Sequence, residues 1–300
     1  MTRYVGHIFS KCGADLYGPR QNDPGVVNVV SSMRLFPLLA IAGFLGLGCD
    51  VRVSDKGVSV DLAQGKATDQ WSRTYAIPTG GRLEVVNDNG TIEVGAATGA
   101  SVDVRATREV RGDSDDAAEQ LLRSIEMNEQ VTSERVRIEA RTPVRASGGR
   151  LVRRRPLSIA YRVLLPPGLS AVFRSDSGSI RLDNVDGRLE VATTNGSITG
   201  RAVSGSMTAS TVNGAVQMGL ETIRGDVEIT AVNGGIRVEL PRSVDAQLEA
   251  STVNGGVRIE DELPIETTIR ERLRVTGRIN KGGPRLVLHT TNGGVRVGVR

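Results

Sequence analysis

Histidine, cysteine and aromatic residues are scarce in this chain of 300 residues. It has two histidines, His7 and His289, and two cysteines, Cys12 and Cys49. So few of either exclude a four-ligand zinc site, metal-assisted chemistry built on histidine clusters and a Cys–His catalytic pair. Aromatics make up 3% of the chain and none follows Phe173, so the second half has no ring platforms on which bases or sugars stack. Charge is nearly balanced, with 38 basic against 34 acidic residues, which serves solubility and does not describe a nucleic-acid groove. The only sustained apolar run, Leu35 to Leu47, is shorter than a membrane span. No cofactor motif is present.

Glycine, by contrast, is abundant at 36 residues, and much of it lies in a recurring phrase. Ser177-Gly178-Ser179-Ile180 is followed by Asn195-Gly196-Ser197-Ile198, Asn213-Gly214-Ala215-Val216, Asn233-Gly234-Gly235-Ile236, Asn254-Gly255-Gly256-Val257 and Asn292-Gly293-Gly294-Val295. Gly178, Gly187, Gly196, Gly205 and Gly214 stand nine residues apart, and the Asn-bearing form returns at every second step. Such a period marks a repeat architecture. Two half-units per repeat fit a coil of two short strands and two corners, with coils stacked about 4.8 Å apart. Asn-Gly is also the strongest short hairpin signal, so an antiparallel meander is the alternative. In the coil reading, Gly supplies positive φ at the corner, Asn tolerates it, and stacked Asn residues form a ladder. The corner residues are Asn195, Gly196, Asn213, Gly214, Asn233, Gly234, Asn254, Gly255, Asn292 and Gly293, with a structural role. Ile180, Leu182, Leu189, Val191, Ile198, Val216, Met218, Ile236, Val257 and Val295 point inward. Arg181, Thr199, Gln217, Arg237, Arg258 and Arg296 point outward, where neighbouring carboxylates such as Asp183, Glu239 and Glu260 are expected to relieve their charge.

The expected fold class is therefore all-β: a parallel β-solenoid with two short strands per coil over residues 174–300. A β-rich portion precedes it over 71–173, with one amphipathic helix near 113–127. There Ala117, Ala118, Leu121, Leu122 and Ile125 share a face, and Asp113 to Asp116 offer the cap. Strands are expected at 136–140 and 158–165. The arginines between them, including Arg150, Arg153, Arg154 and Arg155, are candidates for contact with an anionic surface or form a solvated loop.

The N-terminal stretch has a different organisation. Met33-Arg34 and the apolar run to Leu47 describe a secretory signal over 33–48. Residues 1–32 fit an over-long extension before a start at Met33. The end of the run, Leu45-Gly46-Leu47-Gly48-Cys49, resembles a bacterial lipobox, although Gly46 stands where that motif usually has Leu. The resemblance implies lipidation of Cys49; an ordinary signal peptide or a plain membrane anchor is the alternative. Residues 49–70 are expected to be a tether.

The phrases Val232 to Leu240 and Thr290 to Val297, with Tyr161-Arg162-Val163-Leu164-Leu165-Pro166, resemble a bacterial family of β-strand-repeat envelope proteins of unknown function, known by the label "putative adhesin". That resemblance covers roughly residues 75–300. It implies a right-handed β-solenoid in the cell envelope and carries over no catalytic residue. The expected function is thus a non-enzymatic, lipid-anchored surface-binding or structural module. Its partners would be the membrane through the anchor, and another envelope protein, a glycan or a second copy stacked end to end. Regulatory sensing of envelope stress through a membrane partner is the alternative. A β-helix polysaccharide-active enzyme fits less well, because it needs paired carboxylates and here the aspartates are scattered and no aromatic follows Phe173. The chain ends inside a repeat, so the coil at 290–300 is expected to leave an open stacking edge.

Overall fold

A computed structural model describes residues 49–54, 57–62, 65–141 and 157–300. It divides into two units, Met1–Leu62 and Ala63–Arg300. In the first, β1 (Cys49–Ser54) pairs antiparallel with β2 (Gly57–Leu62). The expected tether therefore holds paired strands, and its last residues open the next one. The extension at 1–32 and the signal at 33–48 lie outside the described residues.

The second unit starts with β3 (Gly65–Tyr75), β4 (Arg82–Asn89), β5 (Ile92–Ala96), β6 (Val102–Gly112), α1 (Asp115–Arg123), β7 (Glu126–Val131), β8 (Arg135–Arg141) and β9 (Leu157–Leu165). Helix α1 forms where expected: Ser114 caps it by accepting from the Ala117 N–H at 3.2 Å, and Ala118 and Leu122 are buried with Ile125. It ends sooner than expected, because residues 126–131 leave as β7 and pair with β8. The helix shields a small satellite core with Ala67 and Val110, under β3 and β6.

The coils follow as β10 (Leu169–Ser177) with β11 (Ile180–Asp183), β12 (Asp186–Asn195), β13 (Ile198–Asn213), β14 (Val216–Asn233) with β15 (Ile236–Leu240), and β16 (Ala246–Asn254) with β17 (Val257–Ile259). A hairpin of β18 (Ile265–Arg270) and β19 (Arg274–Ile279) intervenes before β20 (Arg285–Asn292) and β21 (Val295–Val299). Strands β13 and β14 each turn a corner and serve both rows of the stack. The first row is β7-β8-β4-β10-β12-β13-β14-β20-β16-β19-β18. The second is β3-β6-β9-β5-β11-β13-β14-β15-β21-β17. Pairing between coils is parallel throughout, and antiparallel pairs occur only at the ends. The fold is thus β-solenoid-like, and the meander is excluded.

Three features differ from the expectation. The boundary at 173/174 is not seen in the core: β4 and β5 already form a coil, stacked in register under β10 and β11, and one hydrophobic core runs from Tyr75 to Val297. Second, the coils do not stack in chain order. After β15 the chain skips one place, builds β16 and β17, and caps them with the β18–β19 hairpin. It then returns as β20 and β21 to fill the gap. The C-terminal coil is therefore interior. Its last residue donates its N–H to the Leu240 carbonyl at 3.1 Å, so residues 290–300 do not form an open edge.

The third difference concerns the corner glycines. Gly196, Gly214, Gly234, Gly255 and Gly293 do not adopt positive φ. Their requirement is steric. A Cβ on Gly214 would lie 2.0 Å from the Gly196 carbonyl oxygen, and one on Gly234 would lie 1.8 Å from that of Gly214. Each corner carbonyl is aimed along the stack at the next glycine, and only hydrogen fits between them. The asparagines beside them do form the ladder: Asn213 donates to Asn195, Asn233 to Asn213, Asn292 to Asn233 and Asn254 to Asn292, each at 2.9 Å. Just inside it, the Thr193, Thr211, Thr290 and Thr252 hydroxyls donate to the Gly178, Gly196, Gly234 and Gly293 carbonyls at 2.7–2.9 Å. These four threonines are buried, so the corner satisfies polar groups that would otherwise be left unpaired.

Candidate functional site

Because side chains alternate along each strand, every coil puts one set of residues into the core and the other on an outer face. The expected inward residues are buried, apart from Val257, which is half-buried. The functional question is therefore what the two outer faces carry.

On the first row, charge is neutralised. The Glu84 side chain, 3% exposed, accepts from Arg135 and Arg137, with Arg174 at 3.7 Å. Burial would raise its pKa, but the hydrogen bond from Arg135 and the charges of Arg137, Arg135 and Arg174 together hold it below the usual carboxylate value. Arg174 and Arg82 also reach Glu190, the latter at 3.1 Å, and further along Arg274 and Arg285 flank Glu249 at 3.0 and 3.6 Å. Ser251 Oγ lies 2.9 Å from His289 Nδ1. A nucleophile–base pair needs a third group to orient the imidazole, and among the described residues no acid bonds His289.

The second row is neutralised only in part. Arg181 lies 3.8 Å from Glu93, and Asp183 pairs with Arg201 at 3.0 Å, which lowers the Asp183 pKa through the hydrogen bond. Uncharged Thr199 and Gln217 follow. Then Arg237, Arg296 and Arg258 stand in register on the consecutive strands β15, β21 and β17. Arg237 has Glu239 at 3.9 Å, as expected. Glu260 does not pair with Arg258: it packs over Gly298 and accepts from the Val299 N–H at 3.4 Å. Among the described residues Arg258 and Arg296 have no acidic partner. Like charges directly opposed on paired strands are destabilising, by roughly 0.2–1 kcal/mol per pair.

These arginines border a groove of about 560 Å³, with Arg272 at its side and Gly235, Gly294 and Gly256 on its floor. Arg272 is anchored by donating to the Gly255 carbonyl at 2.8 Å. The floor glycines are unlike the corner glycines. A Cβ on Gly256 would meet nothing nearer than the Arg272 carbonyl at 3.8 Å, and one on Gly294 would meet the Gly256 carbonyl at 3.4 Å. Ser197 and Ala215 occupy the same place in other coils. The fold tolerates a side chain there, and glycine leaves the channel open.

The structure brings the asparagines and glycines of the repeat phrase together along one corner column, where they serve packing. Cys49 opens β1 in the other unit. Arg150, Arg153, Arg154 and Arg155 lie outside the described residues. Among the described residues no group of acidic, His or Cys side chains is placed to hold a metal, and no helix is long and apolar enough to cross a membrane. The sequence puts Arg237, Arg258 and Arg296 on one outward, basic-leaning face but does not show the groove they border. Its sequence signal is Asn-Gly-Gly-Ile/Val-Arg, which occurs at 233–237, 254–258 and 292–296, whereas the coils at 195 and 213 carry Thr199 and Gln217.

A family model described as "Toastrack DUF4097" matches residues 83–298. Among solved structures, a "putative cell adhesion protein" of Clostridium sporogenes aligns at 12% identity with a TM-score of 0.43, over 78% of this chain and 100% of that one. A "putative adhesin" of Bacteroides fragilis aligns at 11% identity and a TM-score of 0.28, over 77% and 97% of the two chains. A "putative lipid binding protein" of Parabacteroides distasonis aligns at 10% identity and a TM-score of 0.27, over the same shares. No curated protein matches the sequence.

Proposed function

The chain belongs to the Toastrack DUF4097 family, and we propose that it is an adhesin-like, non-enzymatic module of the cell envelope. In this reading a lipid on Cys49 holds the chain at the membrane and the outer faces of its stack bind another envelope component. The observation that carries it is the contrast between those faces. One row of acids and arginines is closed by mutual ion pairs, whereas the other ends in Arg296 and Arg258, which have no acidic partner among the described residues. Charge exposed in this way supports recognition of a surface and gives no proton or electron pair to a reaction.

The anchoring half is tested by expressing the full chain with an alkyne-tagged fatty acid. Wild type takes up label and fractionates with membranes, and Cys49→Ser loses both. Label retained in Cys49→Ser would refute lipidation at this residue. The binding half is tested by sedimenting the purified chain with isolated envelopes, and a failure to co-sediment would refute it.

A further inference from the structure

Three facts about the second row converge on a ligand. Arg237, Arg296 and Arg258 are aligned in register on neighbouring strands, with the C-terminal coil's Arg296 between the other two. Two of the floor glycines beside them, Gly256 and Gly294, are not required by backbone geometry or by packing, whereas a Cβ on Gly235 would press on the Gly294 carbonyl at 3.2 Å. The carboxylate two residues from Arg258, Glu260, is directed to Gly298 and leaves the guanidinium free. Thr199 and Gln217 show that the fold accepts uncharged residues at the same position, so the arginines are surplus to its needs.

We propose that this groove binds an extended acidic glycan, whose carboxylates engage Arg237, Arg296 and Arg258 in succession with Arg272 alongside. The inference rests on the surface-binding reading above and specifies its site and ligand class. Guanidinium forks take up carboxylates bidentately. They recur here at the strand interval of about 4.8 Å, close to the advance of one ring in an extended sugar polymer. Gln217 on β14, next to Arg237, offers a donor and an acceptor to sugar hydroxyls. A single-stranded nucleic acid would need rings for its bases, and the groove lining has none. A bilayer would be met by apolar side chains free to insert; here the apolar lining residues Val216, Ile236 and Val295 are buried beneath the guanidiniums.

The test is calorimetric titration of the full chain with trigalacturonate, galacturonate, neutral maltotriose and phosphatidylglycerol vesicles. The expected result is that trigalacturonate binds at least tenfold tighter than galacturonate, while maltotriose gives no heat. Arg296→Gln weakens trigalacturonate at least tenfold, and the paired arginine variant Arg181→Gln changes it less than twofold. Gly256→Val, which fills the floor and keeps every charge, weakens it by a similar factor with an unchanged circular dichroism spectrum. Equal affinity for trimer and monomer, or wild-type affinity in Arg296→Gln, overturns the proposal. So does vesicle binding through these arginines without trigalacturonate binding. Envelopes bound equally by wild type and Arg296→Gln would overturn the groove and leave the surface-binding reading standing; envelopes bound by neither would remove both.

Discussion

Replacing Gly214 with alanine places a methyl carbon 2.0 Å from the Gly196 carbonyl oxygen and 2.6 Å from its carbon. Ordinary C···O contact is near 3.3 Å or more, so the corner must open by roughly 1 Å. That gap is spanned by bonds of fixed length: Gly196 N–H to the Asn213 carbonyl at 3.0 Å, Ile198 N–H to the Ala215 carbonyl at 3.0 Å, and the Thr211 hydroxyl to the Gly196 carbonyl at 2.9 Å. Stretched by about 1 Å, these cease to be hydrogen bonds. Losing two or three at about 1 kcal/mol each, with some overpacking strain, gives a loss of about 3 kcal/mol. That is a large part of a typical total stability of about 5–15 kcal/mol. In a domain of this size it lowers the melting temperature by about 10 °C. Thermal and urea unfolding followed by circular dichroism measures it. Gly256→Ala is the matched control, with its nearest atom at 3.8 Å, and should stay within about 0.5 kcal/mol of wild type. Gly214→Asn separates the steric cause from a conformational one: Asn accepts left-handed backbone, so a conformational requirement would spare it and a steric one would not. Wild-type stability in Gly214→Ala, or an equal loss in Gly256→Ala, would refute the stacking argument.

Three further outcomes are expected. Glu84→Gln should destabilise by roughly 1–3 kcal/mol, because it leaves Arg135, Arg137 and Arg174 facing one another around a buried amide. Since the folded state lowers the Glu84 pKa, its contribution is full above the unfolded value of about 4.3. It fades as pH falls through the lower folded value, so the acid limb of a pH–stability curve should be shallower in the variant. Deleting residues 285–300 removes an interior coil, and cooperative unfolding should be lost in circular dichroism melts; a modest shift with cooperativity intact would contradict the inserted position of β20 and β21. Arg296→Gln should raise stability by roughly 0.2–1 kcal/mol at low ionic strength, an effect that salt removes by screening; a lower melting temperature in that variant would show the arginine to be stabilising.

Much of the fold can be recognised from local pattern. The period-two alternation identifies the buried set because successive side chains on a strand take opposite faces, and a coil repeat keeps that phase from one turn to the next. Asn195, Asn213 and their successors mark one corner because equivalent positions of a stacked coil must coincide. The helix is visible in Ala118, Leu122 and the Ser114 cap, and its early end is not, since β7 exists only through pairing with β8. The purpose of Gly214 is also hidden. Isolated Asn-Gly indicates backbone freedom, whereas here the constraint comes from a carbonyl one coil away.

The parallel pairing that makes this protein a stack of coils came from the tertiary structure, whereas the amino-acid sequence alone determined that it is a β-repeat, which residues face its core and where its corners fall. All of that follows from the side-chain period and from the recurrence of one phrase. The order of the stack was decided only in the tertiary structure. The phrases at Asn233, Asn254 and Asn292 are nearly identical, so any of them could pair with any other through the same ladder. The choice falls to the β18–β19 hairpin, which occupies one hydrogen-bonding edge of β16 and leaves the other edge to β20. That choice sets Arg296 between Arg237 and Arg258, at the middle of the groove.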